Sequence, residues 1–245
     1  MPNTMIILCG GKSTRLGTDK ALLPFGGCCL IEYLVNKFQP LFPKIYLSVQ
    51  QKGDYSHLNL PVTEIQDMYL NAGPLGGIFS SLSMIREEKA FVLSIDTPFV
   101  KPELAAEMLR RSEGSDICII KRRTNCYDGF CGVYSKDCIL SIGKSLLLKQ
   151  LSVTSLTDKC VTTYIHEEEI EEICHRSFQS LFFSISTRTS YYTALQRLFT
   201  DEPKAFEEAI LFEIPSKKAP DDFDYSIATK ETTVLQKIPM LKNLF

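Results

Sequence analysis

The apolar run Met5-Ile6-Ile7-Leu8 passes directly into Cys9-Gly10-Gly11-Lys12-Ser13-Thr14-Arg15-Leu16-Gly17-Thr18-Asp19-Lys20, and this junction constrains the fold more than any other stretch of the chain. Four consecutive apolar residues leading into a glycine pair read as a strand buried on both faces, as in parallel sheets. A glycine-rich loop leaving the carboxyl end of such a strand lies where open α/β sheets bind their ligands. Gly10 and Gly11 are expected to let the backbone approach a ligand closely and to adopt positive φ, turning successive N–H groups toward phosphate oxygens. Arg15 then supplies a forked donor and Lys20 a mobile point charge for the same triphosphate.

Two familiar phosphate loops fail on spacing. Gly11-Lys12-Ser13-Thr14 looks like the end of a Walker A motif, but that motif needs a glycine five positions earlier, where this chain has Ile6. The G-x-G-x-x-G spacing cannot be laid over Gly10, Gly11 and Gly17 either. What remains, G-G-x-x-x-R-x-G-x-x-K after a strand, resembles the loop of nucleotidyltransferases that activate a phosphorylated acceptor with a nucleoside triphosphate.

Downstream, strands and helices alternate. Helical spacing over residues 30–38 is followed by a strand at 44–49, another at about 62–66, a helix from about Pro74, a strand at 90–95, a helix from about Pro102 and a fifth strand at 116–120. Further strand candidates are 130–134, 161–165 and Leu181-Phe182-Phe183-Ser184-Ile185, with a closing helix over 191–199. This order predicts an α/β fold of three layers, a mostly parallel sheet with helices on both faces, over residues 1–200. From Asp201 the alternation is lost, and residues 201–245 read as an extension that could dock a protein partner. The run Glu167-Glu168-Glu169-Ile170-Glu171-Glu172 is expected to be a solvated helix face.

Composition narrows the function classes. A net charge of −2 gives no footprint for nucleic acid, and the triplet Lys121-Arg122-Arg123 is too short to change that. That triplet reads first as solvated loop charge and second as a contact for an anionic acceptor at the sheet edge. Nine cysteines show no C-x-x-C and no histidine at zinc spacing, so they read as reduced thiols, several of them in apolar runs. With no apolar stretch long enough for a signal peptide or a membrane span, a cytoplasmic protein is expected.

A triphosphate loop needs a metal nearby, and Mg²⁺ is usually held by one or two carboxylates together with phosphate oxygens and water. Asp96, directly after the apolar strand that ends Ser94-Ile95, is the candidate ligand, on the same sheet edge as the loop. Asp67 leads into a loop rich in small residues, where Gly73, Gly76 and Gly77 would let a base or ribose lie against the backbone and Asp67 would accept hydrogen bonds from it.

The stretches L-C-G-G-K-S-T-R-L-G-T-D-K-A-L-L, D-M-Y-L-N-A-G-P-L-G-G-I and S-I-D-T-P-F-V have the order and spacing of molybdenum cofactor guanylyltransferases, a resemblance that covers residues 4–199. It implies that Leu8, Cys9 and Gly10 border the nucleotide, that Lys20 contacts phosphate, that Asp67 helps hold the nucleoside, and that Asp96 binds nucleotide and Mg²⁺. Ser48 falls where such proteins often carry an asparagine near the base. The chain departs from the family twice: Ser184-Ile185-Ser186-Thr187-Arg188 stands where the family shows N-x-N-T-P, and Asp128-Gly129-Phe130-Cys131-Gly132-Val133-Tyr134 lacks the proline of a P-L-F-G-V-Y-like strand.

The expected activity is transfer of GMP from GTP to the phosphate of a molybdopterin-type acceptor, with Arg15, Lys20 and Asp96 carrying the chemistry. Two alternatives stay open on sequence alone. One is transfer of CMP or another nucleotide to a different phosphorylated acceptor, and the other is a non-catalytic nucleotide-binding paralogue.

Overall fold

A computed structural model of the protein describes residues 3–10, 16, 18–69, 71–124 and 126–201, all within one compact unit. In chain order the elements are β1 (Thr4–Leu8), a short ribbon β2 (Pro24–Phe25) and β3 (Cys28–Cys29), α1 (Leu30–Phe38), β4 (Lys44–Val49), β5 (Thr63–Gln66), α2 (Gly73–Met84), β6 (Lys89–Ser94) and α3 (Pro102–Arg111). They continue with β7 (Ile117–Lys121), β8 (Tyr127–Ser135), α4 (Ile139–Leu147), α5 (Thr154–Thr157), β9 (Thr162–His166), α6 (Glu167–Cys174), α7 (Phe178–Leu181) and α8 (Arg188–Asp201). The expected extension lies, beyond Asp201, outside the described residues.

Seven strands form one sheet in the order β5-β4-β1-β6-β8-β7-β9. All neighbours are parallel except β8, which runs antiparallel to both β6 and β7. Alternate side chains of each central strand feed opposite cores, because strand residues point up and down with period two. Met5, Ile7, Phe91, Leu93, Cys118 and Ile120 pack against helices α1, α3, α6, α7 and α8. Ile6, Leu8, Ala90, Val92, Ile117 and Ile119 pack against α2, α4 and α5 on the other face. The expected three layers follow directly from this alternation.

The chain builds outward from β1 through β4 and β5, then returns to β6 on the other side of β1. The order therefore reverses between β1 and β6, where the outgoing loops diverge and leave a crevice beyond the strand ends. Leu8 is level with Ser48 on β4 and with Ser94 on β6, so the three carboxyl ends finish together. Past the ladder, the Cys9 N–H donates to the Ser48 carbonyl at 3.0 Å, the Ile95 N–H to the Leu8 carbonyl at 3.1 Å and the Asp67 N–H to the Val49 carbonyl at 2.8 Å.

Two expectations are corrected here. Residues 181–185 form no strand: Ser177 caps α7 by accepting the Ser180 N–H, and Phe178 stacks on Phe182 one helical turn later with centroids 4.4 Å apart. A short apolar run does not separate strand from helix, and here local capping and i,i+4 stacking favour the turn. The acidic run does lie on a helix, α6, but its face is paired rather than simply solvated: Arg123 meets Glu167, Glu168 and Glu171, and Arg111 bridges Glu169 to Glu107 on α3. All nine cysteines are free thiols, and among the described residues no helix is long and apolar enough to cross a membrane.

Candidate functional site

Lys20 opens a single 3-10 turn, Lys20–Leu22, that Asp19 caps by accepting the Ala21 N–H at 3.0 Å. The other Asp19 oxygen accepts the hydroxyl of Tyr55 at 2.9 Å. Burial, followed by the neighbouring Cys9 and Asp19, pushes the Tyr55 phenol well up, so it remains a donor and fixes the turn. From this mount the Lys20 ammonium reaches Asp96 Oδ2 at 3.4 Å. The Ser184 hydroxyl donates to the same oxygen at 3.1 Å, and the Ile185 N–H donates to the Asp96 carbonyl at 2.8 Å. The segment that departs from the family pattern thus closes against Asp96.

On the other side of β1, the Ser48 hydroxyl donates to Asp67 Oδ1 at 2.6 Å. Burial raises the Asp67 carboxyl above its usual range, and the Ser48 hydrogen bond opposes that rise. Ser48 is itself buried, so its hydroxyl is committed to Asp67. Two glycines make room for this pair: a Cβ on Gly10 would stand 3.1 Å from Asp67 Oδ2, and one on Gly77 would run into Ser48 Oγ and come within 3.2 Å of Leu8 Cδ2. Gly10 thus brings the backbone close to Asp67 and does not adopt the positive φ expected for it. Gly73 is the reverse case, with φ +61° and open space where a Cβ would sit, at the turn into α2.

Cys9 joins the two groups. Its partly buried thiol is pushed well up, mainly by desolvation and then by the charges of Asp19 and Asp67. Leu8, Cys9, Gly10, Lys20, Ser48, Asp67, Gly73 and Asp96 therefore gather at the carboxyl edge around the β1/β6 reversal. Gly11 and Arg15 lie outside the described residues.

Three participants were not singled out from sequence. Tyr55 carries no local motif at all, whereas Asp19, directly before Lys20, and Ser184, in the altered family segment, carry only positional hints. A fourth, Asp128, sits where β8 breaks its register with β7 between Ile119 and Ile120. Its Oδ1 accepts the Phe130 N–H at 3.1 Å, and the Tyr134 hydroxyl takes up the Gly129 carbonyl at 2.7 Å. Burial raises the Asp128 carboxyl, the Phe130 N–H and Arg122 oppose it, and Asp96 adds to the rise. Such bulges re-aim side chains beside sites.

A doubly wound sheet whose loop cation and strand-end carboxylate meet at the point of order reversal has the arrangement of an open α/β nucleotide-binding protein. The chain belongs to the molybdenum cofactor guanylyltransferase family, the MobA-like NTP transferase domain matching residues 5–162. It is 31% identical over 186 residues to a probable molybdenum cofactor guanylyltransferase of Pelotomaculum thermopropionicum, covering 75% of this chain and 87% of that one. A protein of the same description from Carboxydothermus hydrogenoformans is 28% identical, covering 79% and 95%. The fold is also that of molybdopterin-guanine dinucleotide biosynthesis protein A from Archaeoglobus fulgidus, with TM-score 0.69 and 20% identity over 80% of this chain and 99% of that one.

Proposed function

We propose that this chain transfers GMP from GTP to the terminal phosphate of a molybdopterin-type acceptor and releases pyrophosphate. The observation that carries the reading is the 3.4 Å contact between Lys20 and Asp96, which brings a phosphate-binding cation and a carboxylate together at the sheet's point of reversal. An acceptor phosphate oxygen attacks the α-phosphorus in line, the bond to the bridging oxygen breaks, and that electron pair leaves on pyrophosphate. No protein nucleophile is required, so the residues act by positioning and by neutralising charge. Lys20 holds the phosphates, and the glycine-rich loop is assigned from its motif to charge developing on the leaving group. Arg15 is assigned to the same task from its place in the motif. Asp67, steered by Ser48, accepts hydrogen bonds from the nucleoside, while Gly10 and Gly73 keep the backbone close to it.

The donors around Asp96 fit a hard divalent cation. A carboxylate and the Ser184 hydroxyl offer oxygen ligands, and among the described residues no group of three His, Cys, Asp or Glu side chains forms a dedicated cage, as suits Mg²⁺ completed by phosphates and water. When bound, Mg²⁺ would neutralise phosphate charge and polarise the α-phosphate. An interior of free thiols is in keeping with a reducing cytoplasm.

The test is a thermal-stability panel of the four nucleoside triphosphates with Mg²⁺, followed by pyrophosphate release with and without molybdopterin-bearing acceptor. GTP should give the largest rise in melting temperature, and release should depend on the acceptor. Preference for CTP would move the reading to a cytidylyltransferase. Tight GTP binding with no release would move it to a nucleotide-binding protein.

A further inference from the structure

The triplet Lys121-Arg122-Arg123 leaves β7 at the same edge as Asp96, and the structure sorts its cations. Arg123 is held by three glutamates of α6, and the Lys121 ammonium lies 6.0 Å from the centre of the Tyr164 ring. Arg122 lies over the Phe178 ring, its guanidinium carbon 4.9 Å from the centroid, with Nη2 3.7 Å from Asp128 Oδ2. That separation is an ion pair beyond hydrogen-bond length. Arg122 Nε is buried with no hydrogen-bond partner among the described residues, yet the side chain as a whole remains 41% exposed. Nε faces inward, so a guanidinium oriented by ring and carboxylate, with an open outer side, is suited to meet a phosphate through its Nη groups.

Its position decides which phosphate. The sheet runs β1-β6-β8-β7, so the nucleotide loop lies on one side of Asp96 and Arg122 on the other. Two strand spacings of about 4.8 Å place the β7 backbone roughly 10 Å from that of β6, within joint reach of an arginine and a bound phosphomonoester. Asp128 lies within electrostatic reach of Asp96, and the chain beyond Phe178 continues to Ser184, which donates to Asp96.

We propose that Arg122, oriented by Asp128 and Phe178, binds the phosphate of the acceptor and holds it on the far side of Asp96 from the nucleotide. This rests on the nucleotidyl-transfer reading above. One acceptor oxygen forms the new bond to the α-phosphorus as pyrophosphate departs, and the remaining oxygens stay on the Arg122 N–H groups.

The experiment uses the full chain and measures pyrophosphate release while GTP and molybdopterin-type acceptor are varied in turn, for wild type, Arg122→Gln, Arg122→Lys and Arg123→Gln. Loss of a charged, forked contact should raise the acceptor KM of Arg122→Gln roughly ten- to a hundredfold. The GTP KM and the GTP-induced melting shift should stay unchanged, Arg122→Lys should recover part of the loss, and Arg123→Gln should behave as wild type. An unchanged acceptor KM in Arg122→Gln, or equal rises for acceptor and GTP, would overturn the proposal while leaving nucleotidyl transfer intact. A wild-type chain that releases no pyrophosphate would defeat the transfer reading instead. Equilibrium binding of the acceptor to wild type and Arg122→Gln then decides the Arg122 contact by itself, equal affinities counting against it.

Discussion

Lys20 Nζ stands 3.4 Å from Asp96 Oδ2, across 76 residues of chain, and ties the loop after β1 to the end of β6. Both side chains are partly exposed, at 19% and 26%, so the pair is open to a ligand and adds little to stability.

Lys20→Ala and Asp96→Asn should therefore keep the fold and a near-wild-type melting temperature while lowering pyrophosphate release by about a hundredfold or more each. Circular dichroism and a coupled pyrophosphate assay check both halves. Near-wild-type turnover in either variant would remove that residue from the chemistry.

Asp67 gives a pH signature with a definite sign. Its folded carboxyl titrates above the usual value because of burial, so the stability linked to it is fully present below the unfolded pKa of about 4 and is lost as pH rises through the raised folded value. The melting temperature of Asp67→Asn relative to wild type should accordingly be more favourable at pH 7 than at pH 4. Ser48→Ala, which removes the opposing hydrogen bond, should make the wild-type trend steeper. Melts across pH 4–7 that show no such divergence would contradict the assignment.

The two glycine positions should respond differently to the same substitution. Gly77→Ala drives a methyl group into Ser48 Oγ and toward Leu8, and overpacking of this kind costs about 1–3 kcal/mol. It also displaces Asp67, so the GTP-induced melting shift should shrink. Gly73→Ala meets no neighbour but must hold φ +61°, at about 1–2 kcal/mol. Urea unfolding of both variants with and without GTP separates steric from conformational cost.

The sheet and the candidate edge were legible because the apolar runs of β1 and β6 end level with one another, one running into glycine and the other into aspartate, a pattern that follows from burial and chain topology alone. The reach of Ser184 and Tyr55 was not legible, because each partner lies far along the chain and only tertiary packing brings it close. Residues 181–185 were misleading for the opposite reason: their apolar content satisfies strand and helix alike, and the Ser177 cap decides. Arg122 and Arg123 are neighbours in sequence with opposite surroundings, a difference set by α6 and by the bulge in β8.

Ser184 stands where the resemblance places an asparagine, and in this chain its hydroxyl donates to Asp96 at 3.1 Å. Ser184→Ala should slow pyrophosphate release several-fold, the value of one hydrogen bond of about 1 kcal/mol. Ser184→Asn keeps a donor and should stay close to wild type. Equal loss in both variants would mean that the hydroxyl's size, and not its hydrogen bond, matters.

If Lys20 and Asp96 act on one nucleotide, a double-mutant cycle on pyrophosphate release from GTP will show it directly. Residues that work as a unit lose their contributions together, so Lys20→Ala combined with Asp96→Asn should be little worse than the poorer single variant. Losses that multiply in full, as for two independent sites, would mean that the two residues do not share a nucleotide.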